Sequence, residues 1–304
     1  MNTDQYTLNE IMLPVGDGHE LYIQLWGNTN AAQTIIFLHG GPGGRCNDKQ
    51  KALFDPLIHR VVFFDQRGCG KSLPYGSLKD NETKHMIEDV RAIAAHLGLP
   101  TFILTGGSWG SCLALAYAIT YPQQVTRMVL RGIFTGRQSE IDFLDKGVFR
   151  PLFPDVWNSF ADSVPEEHRK DPGAFHLPRV LGDDLAQAKE SAYAYNNLEG
   201  SLISLDDRFT PQPFEDFDPA PTKIECHYLA NNCYLPEGYI MDNAHKLTMP
   251  ISLVQGRYDM VCPPYTAYEL SLKLPNAKLY WTTAGHSGSD RANWDVTRAL
   301  LAEL

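Results

Sequence analysis

A serine between glycines is the first feature of the sequence that could carry out chemistry. Ser108 stands at the centre of Gly106-Gly-Ser-Trp-Gly110, after the apolar run 101–104 and before the almost wholly apolar run 111–120. The first run has the composition of a buried strand and the second that of a helix. This order is typical of a nucleophile turn, in which glycines allow a sharp bend and a close backbone approach. We predict that Ser108 is a nucleophile; a glycine-rich turn with an incidental serine is the alternative.

A serine hydroxyl needs a base to become a good nucleophile. Asp259 follows the apolar run 251–254, and His286 follows the apolar run 278–281. Both loops are expected at the sheet edge that carries Ser108, because the carboxyl ends of parallel strands share one edge. The order Ser, Asp, His predicts that His286 is the general base and then acid, and that Asp259 fixes its tautomer. Four other histidines follow the serine in a segment without strand patterns and are expected to be surface or packing residues: His168, His176, His227 and His245.

A glycine-rich stretch after the apolar run 34–38 predicts an oxyanion hole. It reads His39-Gly-Gly-Pro-Gly-Gly44. A tetrahedral intermediate needs two backbone N–H donors, one from the residue after the nucleophile and one from a loop after an earlier strand. We predict that Trp109 and Gly41 supply them. A phosphate cradle is the alternative for these glycines, but no Lys-Ser or Lys-Thr pair follows them.

A second glycine-rich stretch, 65–72, ends in Gly-Lys-Ser. A phosphate-binding loop needs a glycine five positions before Gly70, where this sequence has Asp65. We therefore exclude ATP or GTP binding at this stretch. A turn in which Asp65 and Arg67 hold the core loops together is the preferred interpretation.

The elements that must position these residues follow a strand–helix rhythm. Short runs rich in β-branched and aromatic residues alternate with helical patterns, which is typical of a mostly parallel sheet covered by helices on both faces. The runs 7–13 and 20–26 have no helix between them and predict an antiparallel edge. From 134 to 245 no strong strand pattern occurs. We predict an α/β core of residues 1–133 and 246–304 carrying an inserted, mainly helical cap of residues 134–245.

The amino-acid composition limits the classes of molecule that the protein is expected to bind. The 304 residues are 43% apolar and 20% charged, with a net charge of −10. Nucleic acids and anionic membrane surfaces are bound through basic patches, so the acidic balance argues against both. The segment 134–245 holds 9 Lys and Arg against 20 Asp and Glu, while the rest of the chain holds 17 against 16. The whole acidic excess therefore lies in the predicted cap.

The cysteines and the first residues indicate the compartment. Six cysteines are scattered through a chain that is large enough to fold without disulfides, and none is in a Cys-x-x-Cys pair. We expect free thiols, no metal site, and packing roles for Cys112 and Cys262. The first five residues are polar and show no secretory pattern, and no apolar stretch is long enough to span a bilayer. A cytoplasmic location is the expectation.

Four ordered motifs resemble those of the prolyl iminopeptidase family of α/β-hydrolases. They are His39-Gly-Gly-Pro-Gly43, Asp65-Gln-Arg-Gly-Cys-Gly-Lys-Ser72, Gly106-Gly-Ser-Trp-Gly-Ser111 and Leu130-Arg-Gly-Ile-Phe134. The resemblance runs from about residue 5 to the C-terminus. It implies an α/β-hydrolase fold and a serine exopeptidase that removes an N-terminal residue, typically proline, without metal or cofactor. The implied substrates are small peptides or aminoacyl amides with a free N-terminal amine.

The resemblance also implies which residues bind the substrate. Glu199 and Glu225 match two cap glutamates that bind the free amine in that family, and a protonated amine entering a pocket must be paired. The alternative is a pair of solvated glutamates on helix faces. Phe134 matches an aromatic residue of the proline pocket, but Leu144 and Leu229 stand where the family usually has Tyr and Phe. A leucine-lined pocket is less shaped for a flat imino ring, so the first residue is proline or another small or apolar residue.

Tyr195 and Leu198 also depart from the family, which usually has tryptophans around the first glutamate. Two other functions stay open at this point. The same triad serves esterases, amidases and lactonases, since one fold hosts many substrates. A hydrolase fold without activity could also act as a binding module.

Overall fold

A computed structural model of the chain describes residues 4–304 and contains one eight-stranded sheet. The strands are β1 (Thr7–Gly16), β2 (His19–Gly27), β3 (Thr34–Leu38), β4 (Arg60–Phe64), β5 (Phe102–Ser108), β6 (Val125–Ile133), β7 (Ile251–Gly256) and β8 (Ala277–Thr282). Their order is β1-β2-β4-β3-β5-β6-β7-β8. β1 pairs with β2 and β2 with β4 in the antiparallel sense, and all other pairs are parallel. The predicted mostly parallel sheet with an antiparallel edge is confirmed.

Helices cover this sheet and fill the segment between β6 and β7. They are α1 (Asp48–Lys51), α2 (Thr83–His96), α3 (Trp109–Thr120), α4 (Gln138–Asp145), α5 (Pro154–Ala161), α6 (Pro172–Val180), α7 (Leu185–Ile203), α8 (Ala220–Leu229), α9 (Tyr239–Asn243), α10 (Pro264–Lys273) and α11 (Arg291–Ala302). None of the helices described in residues 4–304 is both long and apolar enough to cross a membrane.

Side chains that alternate along the central strands build the two faces of the sheet. Ile36 and Leu38 of β3 join a buried cluster with residues of α2 and α3, whereas Ile35 and Phe37 join a second cluster with Leu300 of α11. A strand buried on both faces reads as a continuous apolar run, which is why β3 to β7 could be located from the sequence.

The chain leaves the sheet after Ile133 and returns to it at Ile251, with helices α4 to α9 between. This segment has an apolar cluster of its own, which includes Phe149, Trp157 and Phe160. Its later part also packs on the sheet side, because Ile224 of α8 belongs to the main core cluster. These bounds agree with the predicted division into core and cap, which itself stays a prediction.

Asp145, at the end of α4, is a carboxyl whose burial should be visible in the pH dependence of stability. Its Oδ1 atom is buried and has no hydrogen-bond partner in the described part of the chain. Burial raises the pKa of Asp145 from 3.8 to about 7, with Asp142 and Asp171 adding to the rise and Lys146 opposing it. Between these two values the folded protein holds a proton that the unfolded chain releases. The free energy of unfolding therefore falls as pH rises from about 4 to about 7.

Asp145→Asn is expected to raise the free energy of unfolding at pH 8 by about 1–3 kcal/mol, because it removes a buried charge that Lys146 and Tyr195 offset only in part. The gain should shrink toward pH 4, where the native carboxyl is neutral. Urea denaturation followed by tryptophan fluorescence at several pH values measures both effects. Asp155→Asn, at an exposed position of α5, is the matched control. Equal stability of Asp145→Asn and wild type at pH 8 would contradict this account.

Candidate active site

Ser108 occupies the sharp turn between β5 and α3. Its φ of 58° is a left-handed value that non-glycine residues rarely adopt. A Cβ atom at Gly106 would lie 2.6 Å from the Leu38 carbonyl oxygen, and one at Gly110 would lie 2.1 Å from the same atom. The two flanking glycines are therefore required by the approach of β3. Such strained backbone at a turn is typical of functional sites.

Asp259 and His286 form a hydrogen-bonded pair at the ends of β7 and β8. His286 Nδ1 lies 2.9 Å from Asp259 Oδ2, and Asp259 is fully buried. The other carboxylate oxygen of Asp259 accepts from the backbone N–H groups of Val261 and Cys262 at 3.0 and 2.8 Å. Because a carboxylate only accepts, the proton of the imidazole is on Nδ1 and the Nε2 lone pair is free.

The sheet brings Ser108 beside this pair. Ser108 lies opposite Ile133 in the β5–β6 ladder, and a Cβ atom at the neighbouring Gly132 would lie 3.1 Å from His286 Cε1. Among the described residues no hydrogen bond joins Ser108 to His286. The Cys262 side chain lines the same cavity as Ser108. Apo sites often hold catalytic hydrogen bonds loosely, and the serine hydroxyl can rotate.

Cys262 packs in the main apolar core cluster, as predicted, and it also lines the cavity that contains Ser108, which the sequence did not indicate. Burial raises the pKa of its thiol well above the usual range, so the thiol stays neutral and is not itself a nucleophile. All six cysteines are free thiols, as predicted.

A chain of side chains joins the glycine-rich loop after β3 to the start of α3. Trp109 Nε1 donates to Gln66 Oε1 at 2.9 Å, and Gln66 Nε2 donates to the His39 carbonyl at 2.9 Å. The Gln66 backbone N–H donates to His39 Nε2 at 3.0 Å, and burial lowers the pKa of His39. This network fixes the loop containing Gly41 relative to Trp109. Gln66 was not singled out from the sequence, where it lay between Asp65 and Arg67.

Gly41 has a φ of 115° and lines the cavity with Ser108. A Cβ atom there would lie 2.6 Å from the backbone nitrogens of both Gly43 and Gly44. Only glycine fits such a turn. The loop thus brings backbone N–H groups close together beside the nucleophile, which is the arrangement that an oxyanion hole needs.

The stretch 65–72 holds neighbouring loops and helix α2 in place. Asp65 accepts from the backbone N–H groups of Cys46 and Lys71, both at 2.8 Å. Arg67 forms a bidentate pair with Asp89 of α2 at 2.7 and 2.9 Å. Both contacts agree with the interpretation of this stretch as a turn that holds loops together.

Glu199 of α7 and Glu225 of α8 line the same cavity as Ser108, which has a volume of about 40 Å³. Their carboxyl groups are hydrogen-bonded to each other. Burial and the neighbouring Glu199 raise the pKa of Glu225 well above its usual range, while burial raises that of Glu199. Glu225 is therefore the carboxyl of the pair that is protonated more readily, and Glu199 the one that is ionised more readily.

The remaining walls of this cavity are mostly apolar. Phe134, Leu144 and Leu229 line it together with Ile141 and Val261. Glu140 also lines it, but its carboxylate accepts from the Thr135 backbone N–H and from Arg137 Nε, both at 2.7 Å. Tyr195 and Leu198 belong to the apolar cluster of the inserted segment. Among the residues described, no group of three His, Cys, Asp or Glu side chains is placed to hold a metal ion.

Asp290 connects the two sides of the site. It is fully buried and accepts from the Gly285 N–H at 2.7 Å and the Leu205 N–H at 3.0 Å. The first contact holds the loop of His286, and the second holds the chain just after α7, the helix of Glu199. No pattern in the sequence marks Asp290 for this role.

The sheet, the nucleophile turn and the Asp–His pair together define an α/β hydrolase. The family model for the alpha/beta hydrolase fold matches residues 33–289. Among solved structures, a proline iminopeptidase from Mycobacterium smegmatis matches with a TM-score of 0.61 and 20% identity, covering 97% of this chain and 98% of that one. An esterase from Exiguobacterium antarcticum matches with a TM-score of 0.60 and 19% identity, covering 94% and 96%. Both likenesses concern the fold alone.

Relatives in sequence identify the family within the α/β hydrolases. A proline iminopeptidase of Xylella fastidiosa is 40% identical over 293 residues, which cover 94% of this chain and 93% of that protein. One from Arabidopsis thaliana is 38% identical, covering 91% of this chain and 75% of that protein. The chain belongs to the proline iminopeptidase family of α/β hydrolases.

Proposed function

We propose that this protein is a serine aminopeptidase that releases the N-terminal residue of small peptides or aminoacyl amides. The observation that carries the proposal is the placement of two hydrogen-bonded glutamates and a strained serine in one small cavity. A buried carboxyl pair in the cavity of the nucleophile suits a substrate with a cationic amine next to the bond to be cleaved. The family relatives carry the same activity in their names.

In the proposed reaction Ser108 Oγ attacks the first carbonyl carbon while His286 Nε2 takes the hydroxyl proton. The backbone N–H groups of Gly41 and Trp109 stabilise the oxyanion, and Asp259 stabilises the imidazolium. His286 then gives its proton to the leaving nitrogen, and the C–N bond breaks. Water, deprotonated by His286, hydrolyses the acyl-enzyme and regenerates the serine. No metal or cofactor takes part in this scheme.

The proposed role of Glu199 and Glu225 is to bind the protonated amine and to limit cleavage to the first residue. The cavity is small, with a volume of about 40 Å³, and the carboxyl pair forms part of its wall. A longer N-terminal extension would place an uncharged amide against an unpaired buried carboxylate, which is unfavourable. We therefore assign amine recognition to the cap, residues 134–245.

Phe134, Leu144 and Leu229 are proposed to contact the side chain of the first residue. The pocket is apolar, so we propose proline or another small or apolar residue there. We also propose a cytoplasmic location, since six free cysteines suit a reducing compartment. Neither a nucleic acid nor a membrane is proposed as a partner, because the chain carries a net charge of −10.

A substrate panel tests this proposal. Chromogenic amides of Pro, Ala and Leu are assayed beside a simple aryl ester, and the protein is treated with a serine-directed phosphonate. We expect amide cleavage and labelling of Ser108. Rapid ester turnover without amide cleavage would favour an esterase or lactonase with the same triad, and a lack of labelling would favour a binding module.

Salt should weaken the reaction with cationic substrates. The cap carries 9 Lys and Arg against 20 Asp and Glu, and a negative field over the entrance raises the encounter rate of cations. Raising NaCl from 50 to 500 mM shortens the range of this field. We expect kcat/KM for an aminoacyl amide to fall roughly threefold or more, while that for a neutral aryl ester changes little. A parallel fall for both substrates would contradict the steering role of the cap.

A further inference from the structure

A second cavity lies beside the nucleophile turn, between the glycine-rich loop after β3 and the start of α11. Its volume is about 180 Å³, against about 40 Å³ for the cavity of the glutamates. Gly40, Gly107 and Gly288 are among its lining residues. It thus touches the loop that carries Gly41, the residue before Ser108 and the loop after His286.

This cavity is close to the reacting atoms. A Cβ atom at Gly40, in its wall, would lie 3.9 Å from Ser108 Oγ. The cavity of the glutamates is the proposed site of the N-terminal residue, so the leaving side of the substrate must point elsewhere. His286 has to reach the leaving nitrogen, and the loop that follows His286 forms one wall of the second cavity. The second cavity is therefore placed to receive the part of the peptide that leaves.

The lining is basic, in a chain of net charge −10. Arg131 and Lys49 line the cavity, and its described lining residues include no Asp or Glu. Arg131 donates to the carbonyl oxygen of His286, and this is the one hydrogen bond of its guanidinium within residues 4–304. A guanidinium has five N–H donors, so most of them have no acceptor. Thr297 Oγ1, in the same wall, is buried and also lacks a partner in the described chain.

A guanidinium stays protonated in proteins, so Arg131 is a cation at the cavity wall. Burial lowers the pKa of Arg131, while the nearby carboxylates of Asp259 and Asp290 act in the opposite direction. Neither carboxylate makes a hydrogen bond with the guanidinium in the part of the chain that the structure describes. Glycines at 107 and 288 leave room for the guanidinium. A Cβ atom at Gly107 would lie 2.5 Å from Arg131 Nη2, and one at Gly288 would lie 3.1 Å from Arg131 Nε. An arginine with free donors at a cavity wall suits a carboxylate, which it binds in bidentate fashion.

We propose that the second cavity binds the C-terminal carboxylate of the leaving amino acid or dipeptide, so that free dipeptides and tripeptides are the preferred substrates. This inference rests on the proposed aminopeptidase function. Each extended residue spans about 3.3–3.6 Å, so a C-terminus one or two residues beyond the cleaved bond falls within this cavity. A short peptide is a zwitterion, and its two charges match the acidic pair on one side of Ser108 and the basic lining on the other.

The test compares X-Gly as the free acid with X-Gly-amide, where X is the residue of the chromogenic amide that is cleaved fastest. The two substrates differ only in the charge of the C-terminus. For the wild type we expect kcat/KM to be at least about tenfold higher for the free acid. Lys49→Gln and Arg131→Gln should each bring this ratio toward one. Lys79→Gln, at an exposed lysine 3.9 Å from Asp80, should leave the ratio as in the wild type.

The ratio is insensitive to general damage, because a weakened triad slows both substrates equally. If the wild type cleaves both dipeptides at similar rates, the carboxylate subsite is wrong while the aminopeptidase function stands. If the wild type cleaves the chromogenic amide but neither dipeptide, the carboxylate subsite is wrong, and if it cleaves no amide at all, both proposals are wrong. If Lys49→Gln and Arg131→Gln keep the full preference for the free acid, the carboxylate is bound elsewhere and the assignment of this cavity is overturned.

Discussion

Replacing Ser108 by alanine is expected to lower kcat for aminoacyl amides by on the order of 10⁴–10⁶-fold. The strained turn leaves no second hydroxyl in the same position, and the Cys262 thiol beside it is kept neutral by burial. Without the serine oxygen no acyl-enzyme can form, and the oxyanion donors and the amine site act only on an attacking water. Steady-state assays and phosphonate labelling measure the loss.

The Ser108→Ala variant should still fold and still bind amines. Its thermal unfolding is expected to be close to that of the wild type, and prolinamide or leucinamide should bind with unchanged affinity in a calorimeter. Ser271→Ala, whose hydroxyl bonds only the Tyr268 carbonyl on an exposed part of α10, is the matched control and should retain full activity. Retention of amide cleavage by Ser108→Ala would exclude Ser108 as the nucleophile.

Glu199→Gln is expected to lower kcat/KM for free-amine substrates by on the order of 10²-fold or more, as a lost buried ion pair of about 3–5 kcal/mol predicts. The pKa of Glu225 is raised more strongly than that of Glu199, so Glu199 is the carboxyl that ionises more readily. The glutamine at 199 therefore removes the better partner for the substrate amine. Glu225→Gln should cost less, because an amide at 225 can still donate a hydrogen bond to the Glu199 carboxylate.

Two comparisons isolate this effect from general damage. An aryl ester without an amine should be hydrolysed by Glu199→Gln within about threefold of the wild-type rate, since the triad is untouched. Glu190→Gln, on the same helix α7 and 3.8 Å from Arg179 in a mostly exposed ion pair, should behave as the wild type. A similar loss on ester and amide would mean that Glu199 supports the fold and does not bind the amine.

The parts of this site that depend on local sequence could be predicted, and those that depend on packing could not. A nucleophile turn consists of a strand, flanking glycines and a helix within about fifteen residues. A single short stretch of sequence was therefore enough to predict Ser108 as the nucleophile. Asp259 and His286 follow buried strands whose apolar runs are equally local. Glu199 and Glu225 were placed only through the resemblance, because their contact depends on how α7 packs against α8.

The limit of prediction from local sequence is clearest for three residues, Gln66, Cys262 and Asp290. Each acts with residues that are distant in sequence: Gln66 accepts from Trp109, Cys262 lines one cavity with Ser108, and Asp290 accepts from Leu205. No periodic pattern marks such residues. Their type is compatible with a surface or core position, and only the sheet order, which brings β5, β6, β7 and β8 side by side, gives them a role.

The central claim is that catalysis depends on a free N-terminal amine beside Ser108. The most direct measurement is kcat/KM of the wild-type protein for one aminoacyl chromogenic amide with a free amine and for the same compound with the amine acetylated. The account predicts a preference of at least about 100-fold for the free amine, since the acetylated compound leaves Glu199 unpaired. Equal rates on the two compounds would contradict it.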